Sequence, residues 1–204
     1  MKKQSLSILV AIMLLALICS TVFAGCNPTS EIDKFREKLF EAESLKMSMT
    51  MEVPYYGSVK MTTYVDGNKT YMPAYLDTPS VFTETEGVVT RVYTDYGYYW
   101  KKETQYNTSG VEDDYNEELT QLFYGDNYEY SSDDKAFKKK SNVILKFEDM
   151  EFDSLLLTIV DNSCQLLGEV NVEGVLIECF IEITDINGIE LVFDEIVTGE
   201  IVGA

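Results

Sequence analysis

The 204-residue chain contains no histidine, which excludes a Ser-His-Asp or Cys-His catalytic engine, a His-ligated metal and a histidine pH switch. Positive charge is scarce as well. Sixteen lysines and arginines stand against 35 aspartates and glutamates, a formal charge of -19. That balance argues against nucleic-acid binding and against polybasic docking on anionic lipid. The length suits one domain plus a tether and is too short for the two lobes of a typical solute receptor. Acids are abundant, yet no spacing singles out two of them for glycosidic chemistry. Neither Glu112-Asp113-Asp114 nor Asp133-Asp134 has the regular oxygen spacing of a calcium loop. A non-catalytic protein without metal or cofactor is the expectation.

The N-terminus carries the most specific signal. Lys2 and Lys3 precede an uninterrupted apolar stretch, Ile8 to Cys19, and no further charge appears before Glu31. This is the pattern of an export signal. Phe23-Ala24-Gly25-Cys26 resembles the bacterial lipobox, in which small residues precede a cysteine that is acylated before cleavage; Phe23 stands where leucine is commonest. The reading predicts a signal over 1–25, a lipidated tether over 26–30 with the acyl chains on Cys26, and a single β-rich domain over 31–204. Residues 1–25 carry two lysines and no acid, so the mature part has 14 basic against 35 acidic residues, a charge of -21. Anionic lipid repels such a body, and the acyl chains, at about 0.8 kcal/mol per buried methylene, have to hold it at the extracytoplasmic side of the cell membrane.

Beyond the tether, Ser30 and Asp33 form a capping-box pattern, and Ile32, Phe35, Leu39 and Ala42 recur on one helical face, predicting a helix over 31–44. The period then switches to two. Leu45, Met47, Met49, Met51 and Val53 predict a half-buried strand, followed by strands over 58–65 and 69–72. A five-residue loop over 54–58 sets Met51 opposite Met61, and a two-residue turn after Val65 brings Met72 to the same face. Residues 73–87 read as a loop with one short strand near 81–85. Residues 88–95 and 98–105 predict a hairpin with Tyr93 opposite Trp100. A short second helix is expected over 111–123, with Tyr115, Leu119 and Leu122 on one side, and a charged connection over 124–142.

The last third alternates most clearly. Leu155 to Ile159, Cys164 to Val172, Val175 to Ile183 and Ile189 to Phe193 predict a four-stranded meander. Ile186-Asn187-Gly188 is its last loop, with Gly188 supplying a left-handed residue. Glu178, Glu182 and Glu190 face the other way, toward water. With a turn at Glu173-Gly174, Cys164 opposes Ile183 and Cys179 opposes Gly168. The two cysteines then lie about 13 Å apart along the strands. A disulfide needs Cα atoms within about 7 Å, so two buried free thiols are expected.

A lipobox, one N-terminal helix, the strand Leu45-Lys46-Met47-Ser48-Met49-Thr50-Met51, a strand ending Val65-Asp66-Gly67-Asn68-Lys69-Thr70-Tyr71 and a closing meander together resemble the LolA/LolB-like lipoprotein-carrier superfamily, which includes mycobacterial lipid-binding lipoproteins. The resemblance lies in element order and implies a strongly curved antiparallel sheet, a half-barrel. The N-terminal helix, and a further short helix if present, would pack on its concave face over an apolar cavity. From the residues themselves, Met47, Met49, Met51, Met61 and Met72 suit an adaptable apolar pocket, because the unbranched thioether repacks around varied ligands. Tyr93 and Trp100, within the cluster Tyr93, Tyr96, Tyr98, Tyr99 and Trp100, suit a recognition rim. Two functions follow as expectations: a binding module for a lipid or other apolar ligand in the cell envelope, or an anchored structural or interaction domain whose core is filled by its own side chains.

Overall fold

The computed structural model describes residues 29–106, 119–147, 150–172 and 174–198. The signal and residues 26–28 of the tether, Cys26 among them, lie outside these residues, as do positions 111–118 of the expected second helix and the acids at 112–114. The described chain begins with helix α1 (Ser30–Phe40), which buries Ile32, Phe35 and Leu39. Glu31 and Asp33 in its first turn and Lys38 in its last complement the helix dipole. Asp33 does not close a capping box. Its Oδ1 accepts a hydrogen bond from the Gly125 backbone N–H at 3.0 Å, which ties the helix to a 3-10 turn (Gly125–Asn127). The helix ends four residues before the predicted Ser44, because Ser44 already belongs to the first strand.

Twelve strands follow: β1 (Ser44–Val53), β2 (Gly57–Asp66), β3 (Lys69–Met72), β4 (Val81–Glu86), β5 (Val89–Asp95), β6 (Trp100–Tyr106), β7 (Tyr128–Ser131), β8 (Ala136–Lys139), β9 (Leu145–Phe147), β10 (Met150–Val160), β11 (Ser163–Val172) and β12 (Val175–Thr184). A short helix, α2 (Phe193–Thr198), ends the described chain. They form one curved, unclosed antiparallel sheet in the order β6-β5-β4-β3-β2-β1-β12-β11-β10-β8-β7, with β9 also on β10. The chain steps outward from β1 to the β6 edge, restarts at the opposite edge with β7, and returns to pair β12 with β1 from Lys46↔Thr184 to Met51↔Cys179. The expected mostly-β fold with an N-terminal helix and a short second helix is therefore present.

Strand register sorts the side chains into two faces, since cross-strand partners project the same way. On the inner face, Leu45, Met47 and Met49 join Cys179, Ile181, Ile183, Leu166, Val170, Leu155 and Leu157 in a core closed by Ile32, Phe35 and Leu39 of α1. Leu119, Leu122 and Phe123 complete it, so the described end of the expected second helix lies where predicted. A second core lies on the outer face of the other half of the sheet. Tyr64, Tyr71, Phe82, Tyr93 and Trp100 pack there against Ile189, Leu191, Phe193 and Ile196. Tyr64 pairs with Lys46, whereas Met47 pairs with Ile183; the two cores thus occupy opposite sides, and α2 does not share the face of α1.

Several expectations change at this level. The β1–β2 register sets Met49 opposite Met61 and Met51 opposite Val59, because the turn is the three residues 54–56. The turn after β2 follows Asp66. Each shift amounts to two residues and preserves the face. Tyr93 pairs with Lys102, and Trp100 with Asp95, across a four-residue loop. The charged connection contains the β7–β8 hairpin, with Tyr128, Ala136 and Phe137 buried. Its lysines hid a period of two. The Lys139 ammonium donates to the Val143 carbonyl at 2.7 Å, that of Lys140 to the Asp126 carbonyl at 2.7 Å, and Lys138 sits across from Leu156.

The predicted fourth strand of the meander is not a strand. Its place beside β12 is taken by β1, so residues 185–192 leave the ladder and cross to the outer face. Side chains satisfy the backbone groups that a ladder would have paired. Asn187 Oδ1 accepts from the Glu43 N–H at 2.8 Å, Ser44 Oγ from the Ile189 N–H at 3.1 Å and Asp66 Oδ2 from the Leu191 N–H at 2.9 Å; Lys69 Nζ donates to the Leu191 carbonyl at 2.8 Å. The left-handed residues are Asp185 and Asn187, not Gly188.

Gly168 marks the tightest approach in the sheet. A Cβ there would lie 2.2 Å from the Ser154 carbonyl oxygen, beside the register shift between Phe152 and Ser154. Gly168→Ala is expected to cost about 1–3 kcal/mol, read as a lower urea midpoint with an unchanged m-value. An unaltered midpoint would show that the β10–β11 approach is not this close.

Candidate functional site

The methionine wall is built by β1 and β2. Met47 and Met49 are buried within the inner core, while Met51 and Met61 are half-buried and pack against its margin. Short alternating strands place them together because period two sends every second residue inward, and Ser48 and Thr62, which alternate with them, share a hydroxyl contact of 3.2 Å on the outer face. Met72 stands apart. Its strand brings it to the inner face, but it is exposed, beyond the margin of the core.

From Met61 the inner face continues across β3, β4 and β5 as a strip of small and β-branched side chains: Thr70, Val81, Thr83, Thr85, Val92 and Thr94. All are half-buried, and Val81 and Val92 join neither core. Thr85 and Thr90 share a hydroxyl contact of 3.1 Å at one end of this strip. The wall and strip together present methionine, valine and threonine side chains on one face of the sheet.

The aromatic candidates do not join it. Tyr93 and Trp100 lie on the outer face, where their rings meet Phe193 at centroid distances of 4.4 and 5.6 Å; Phe82 meets the same ring at 5.2 Å. These residues anchor α2, so the seven predicted ligand contacts divide between two sides of the sheet. Tyr96, Tyr98 and Tyr99 are exposed in the β5–β6 loop, with Tyr96 and Tyr99 stacked at 5.6 Å. The partner of the aromatic group, Phe193, was legible as an apolar residue but assigned to a strand.

A separate surface groove of about 340 Å³ runs beside α1, lined by Arg36, Glu37, Phe40, Glu41, Thr120 and Tyr124 among others. The Arg36 guanidinium lies 4.2 Å above the Tyr124 ring, a cation–π contact. Among the described residues no group of three aspartate, glutamate or cysteine side chains is placed to hold a metal ion. None of the described helices is long and apolar enough to cross a membrane.

The cysteines take the predicted register, Cys164↔Ile183 and Cys179↔Gly168, and are buried and free. Burial pushes the Cys179 thiol up to about 11 and raises that of Cys164 as well, the reverse of the lowering that makes a reactive thiolate. Burial also raises the Tyr128 phenol, whose hydroxyl donates to the Leu122 carbonyl at 2.6 Å. No protein-family model matches this sequence, and no curated protein is significantly similar to it.

The thiols generate a pH prediction. A thiol whose folded pKa exceeds its unfolded value of about 8.5 stabilises the fold fully below that unfolded value, and the contribution disappears as pH climbs through the folded one. The unfolding free energy is therefore expected to fall between about pH 8.5 and the Cys179 value of about 11. Cys179→Ala should reduce that slope without abolishing it, because Cys164 contributes over the same range. Native protein at pH 8 should resist alkylation at both sites; rapid labelling without denaturant would contradict the burial.

Proposed function

We propose that the chain is an exported lipoprotein, anchored by acylated Cys26 to the extracytoplasmic face of the cell membrane, whose sheet is a non-catalytic binding module for a lipid or another apolar ligand. The observation that carries the reading is the inner-face surface running from the half-buried Met51 and Met61 onto the strip of threonine and valine methyls on β3 to β5. Apolar, adaptable walls with few polar groups suit acyl chains, whose binding is driven by area removed from water. The open antiparallel sheet with a helix on its inner face agrees with the resemblance to lipoprotein carriers. The lipobox supplies the anchor.

A second reading rests on a different observation. Under α1 the inner face is filled: Ile32, Leu122, Leu157, Leu166 and Ile181 are fully buried in one cluster. A domain whose core is occupied by its own side chains would serve as an anchored structural or interaction module.

Organic extraction of the purified exported protein followed by mass spectrometry separates them. The binding reading expects a co-purifying lipid near one per chain and displacement of a fluorescent fatty acid, with Met51→Glu and Met61→Glu each weakening uptake about tenfold. A clean apo protein that ignores the probe favours the structural module. The anchor is tested on its own: Cys26→Ser should abolish incorporation of labelled fatty acid into the protein, and unchanged labelling would rule the anchor out.

A further inference from the structure

The outer face of β10, β11 and β12 carries an apolar row that the alternation of the sequence had assigned to water. Leu156 pairs with Leu167, and Leu167 with Phe180. Three large side chains on neighbouring strands therefore stand side by side, spanning about 10 Å at the usual strand spacing. Leu167 is 49% exposed, Leu156 and Phe180 are half-buried, and none joins either core. A single exposed leucine needs no explanation, but a contiguous row in the middle of a sheet does.

Carboxylates flank that row along the strands, and Lys138 closes its β8 end beside Leu156. Glu169 and Glu178 are direct cross-strand partners two residues along the strands, and Glu182 lies two residues the other way, opposite Gln165. Like charges set directly opposite each other destabilise a sheet. Among the described residues, no lysine or arginine forms an ion pair with these three glutamates. Ser154 Oγ donates to Glu169 at 3.2 Å and Gln165 Nε2 to Glu182 at 3.0 Å, contacts that orient the carboxylates without neutralising them.

We propose that this face docks a cationic amphipathic segment of a partner protein, with apolar side chains along Leu156, Leu167 and Phe180 and lysines or arginines against Glu169, Glu178 and Glu182. Charge selects this occupant. A second copy of the chain would bring the same three carboxylates against each other, on a body whose net charge is already strongly negative. An anionic membrane is repelled for the same reason, and an uncharged lipid leaves the facing glutamates uncompensated. The site lies on the opposite side of the sheet from the methionine wall and stands independently of lipid binding.

The test uses the mature chain from residue 27 onward, free of the signal and of acyl chains, so that no detergent competes for the probe. The probe is a short helical peptide of leucine and lysine, with a leucine–glutamate peptide of the same pattern as its counterpart. The lysine peptide is expected to shift the NMR methyl signals of Leu156 and Leu167 and the ring of Phe180. Leu167→Ser should weaken it about tenfold, and Glu169→Gln with Glu178→Gln about threefold, with the remaining affinity less dependent on salt. The glutamate peptide should not bind. Shifts confined to other acidic surfaces, unaltered binding by either variant, or sedimentation showing the row buried in a dimer would each overturn the proposal. If Leu167→Ser does not fold, the glutamine pair decides, because both carboxylates lie at the surface.

Discussion

The pairing of β1 with β12 is the constraint on which the rest of the molecule depends. It joins the two ends of the domain, Lys46 to Thr184 and Met51 to Cys179, and makes one sheet from two meanders that leave the chain's midpoint at opposite edges. A strand has two hydrogen-bonding edges, and those of β12 are filled by β11 and β1. Whatever follows β12 has no edge to join there. The C-terminal segment must go over the end of β1, and its orphan backbone groups must find side chains, which Ser44, Asp66 and Lys69 supply.

That detour gives the sheet two cores of unlike character. The inner one is aliphatic and thioether-rich, closed by α1, and removes its side chains almost completely from water. The outer one is aromatic, built from stacked and tilted rings around Phe193, and covers only the half of the sheet the C-terminal segment can reach. Among the described residues, the inner strip on β3 to β5 and the outer row on β10 to β12 belong to neither core. The functional proposals rest on these, because unpartnered apolar surface is where binding has hydrophobic free energy still to gain.

Much of this was legible in the residues. Strict alternation located β1, β2, β11 and β12, and hairpin lengths gave the cysteine register without error, since the turn between β11 and β12 leaves little choice of pairing. At Pro54 to Tyr56, at the turn after Asp66 and at Tyr96 to Tyr99, register slipped by two residues; the side-chain period hides such an error by keeping the same face. The β7–β8 hairpin escaped notice because lysines with long apolar stems occupy its positions. Ile189 to Phe193 alternates like a strand, and only the occupied edge of β12 reveals that it is none. All five methionines of the predicted pocket share the inner face, with Met47 and Met49 buried, Met51 and Met61 half-buried, and Met72 exposed opposite Val81. Tyr93 and Trp100 were grouped with them because neighbouring strand residues carry no mark of which side of a large sheet they share with a distant element.

The linear chain by itself determined local conformation: which segments alternate, which spiral, and where charge and apolar residues fall, because those depend on neighbours a few positions away. It also held the absence of histidine and a Phe23-Ala24-Gly25-Cys26 segment that resembles a lipobox. Only the tertiary structure decided which face each stripe serves, since that follows from pairing between residues more than a hundred positions apart. A strand displays two faces with equal readiness, and the covering element alone separates core from exposed surface.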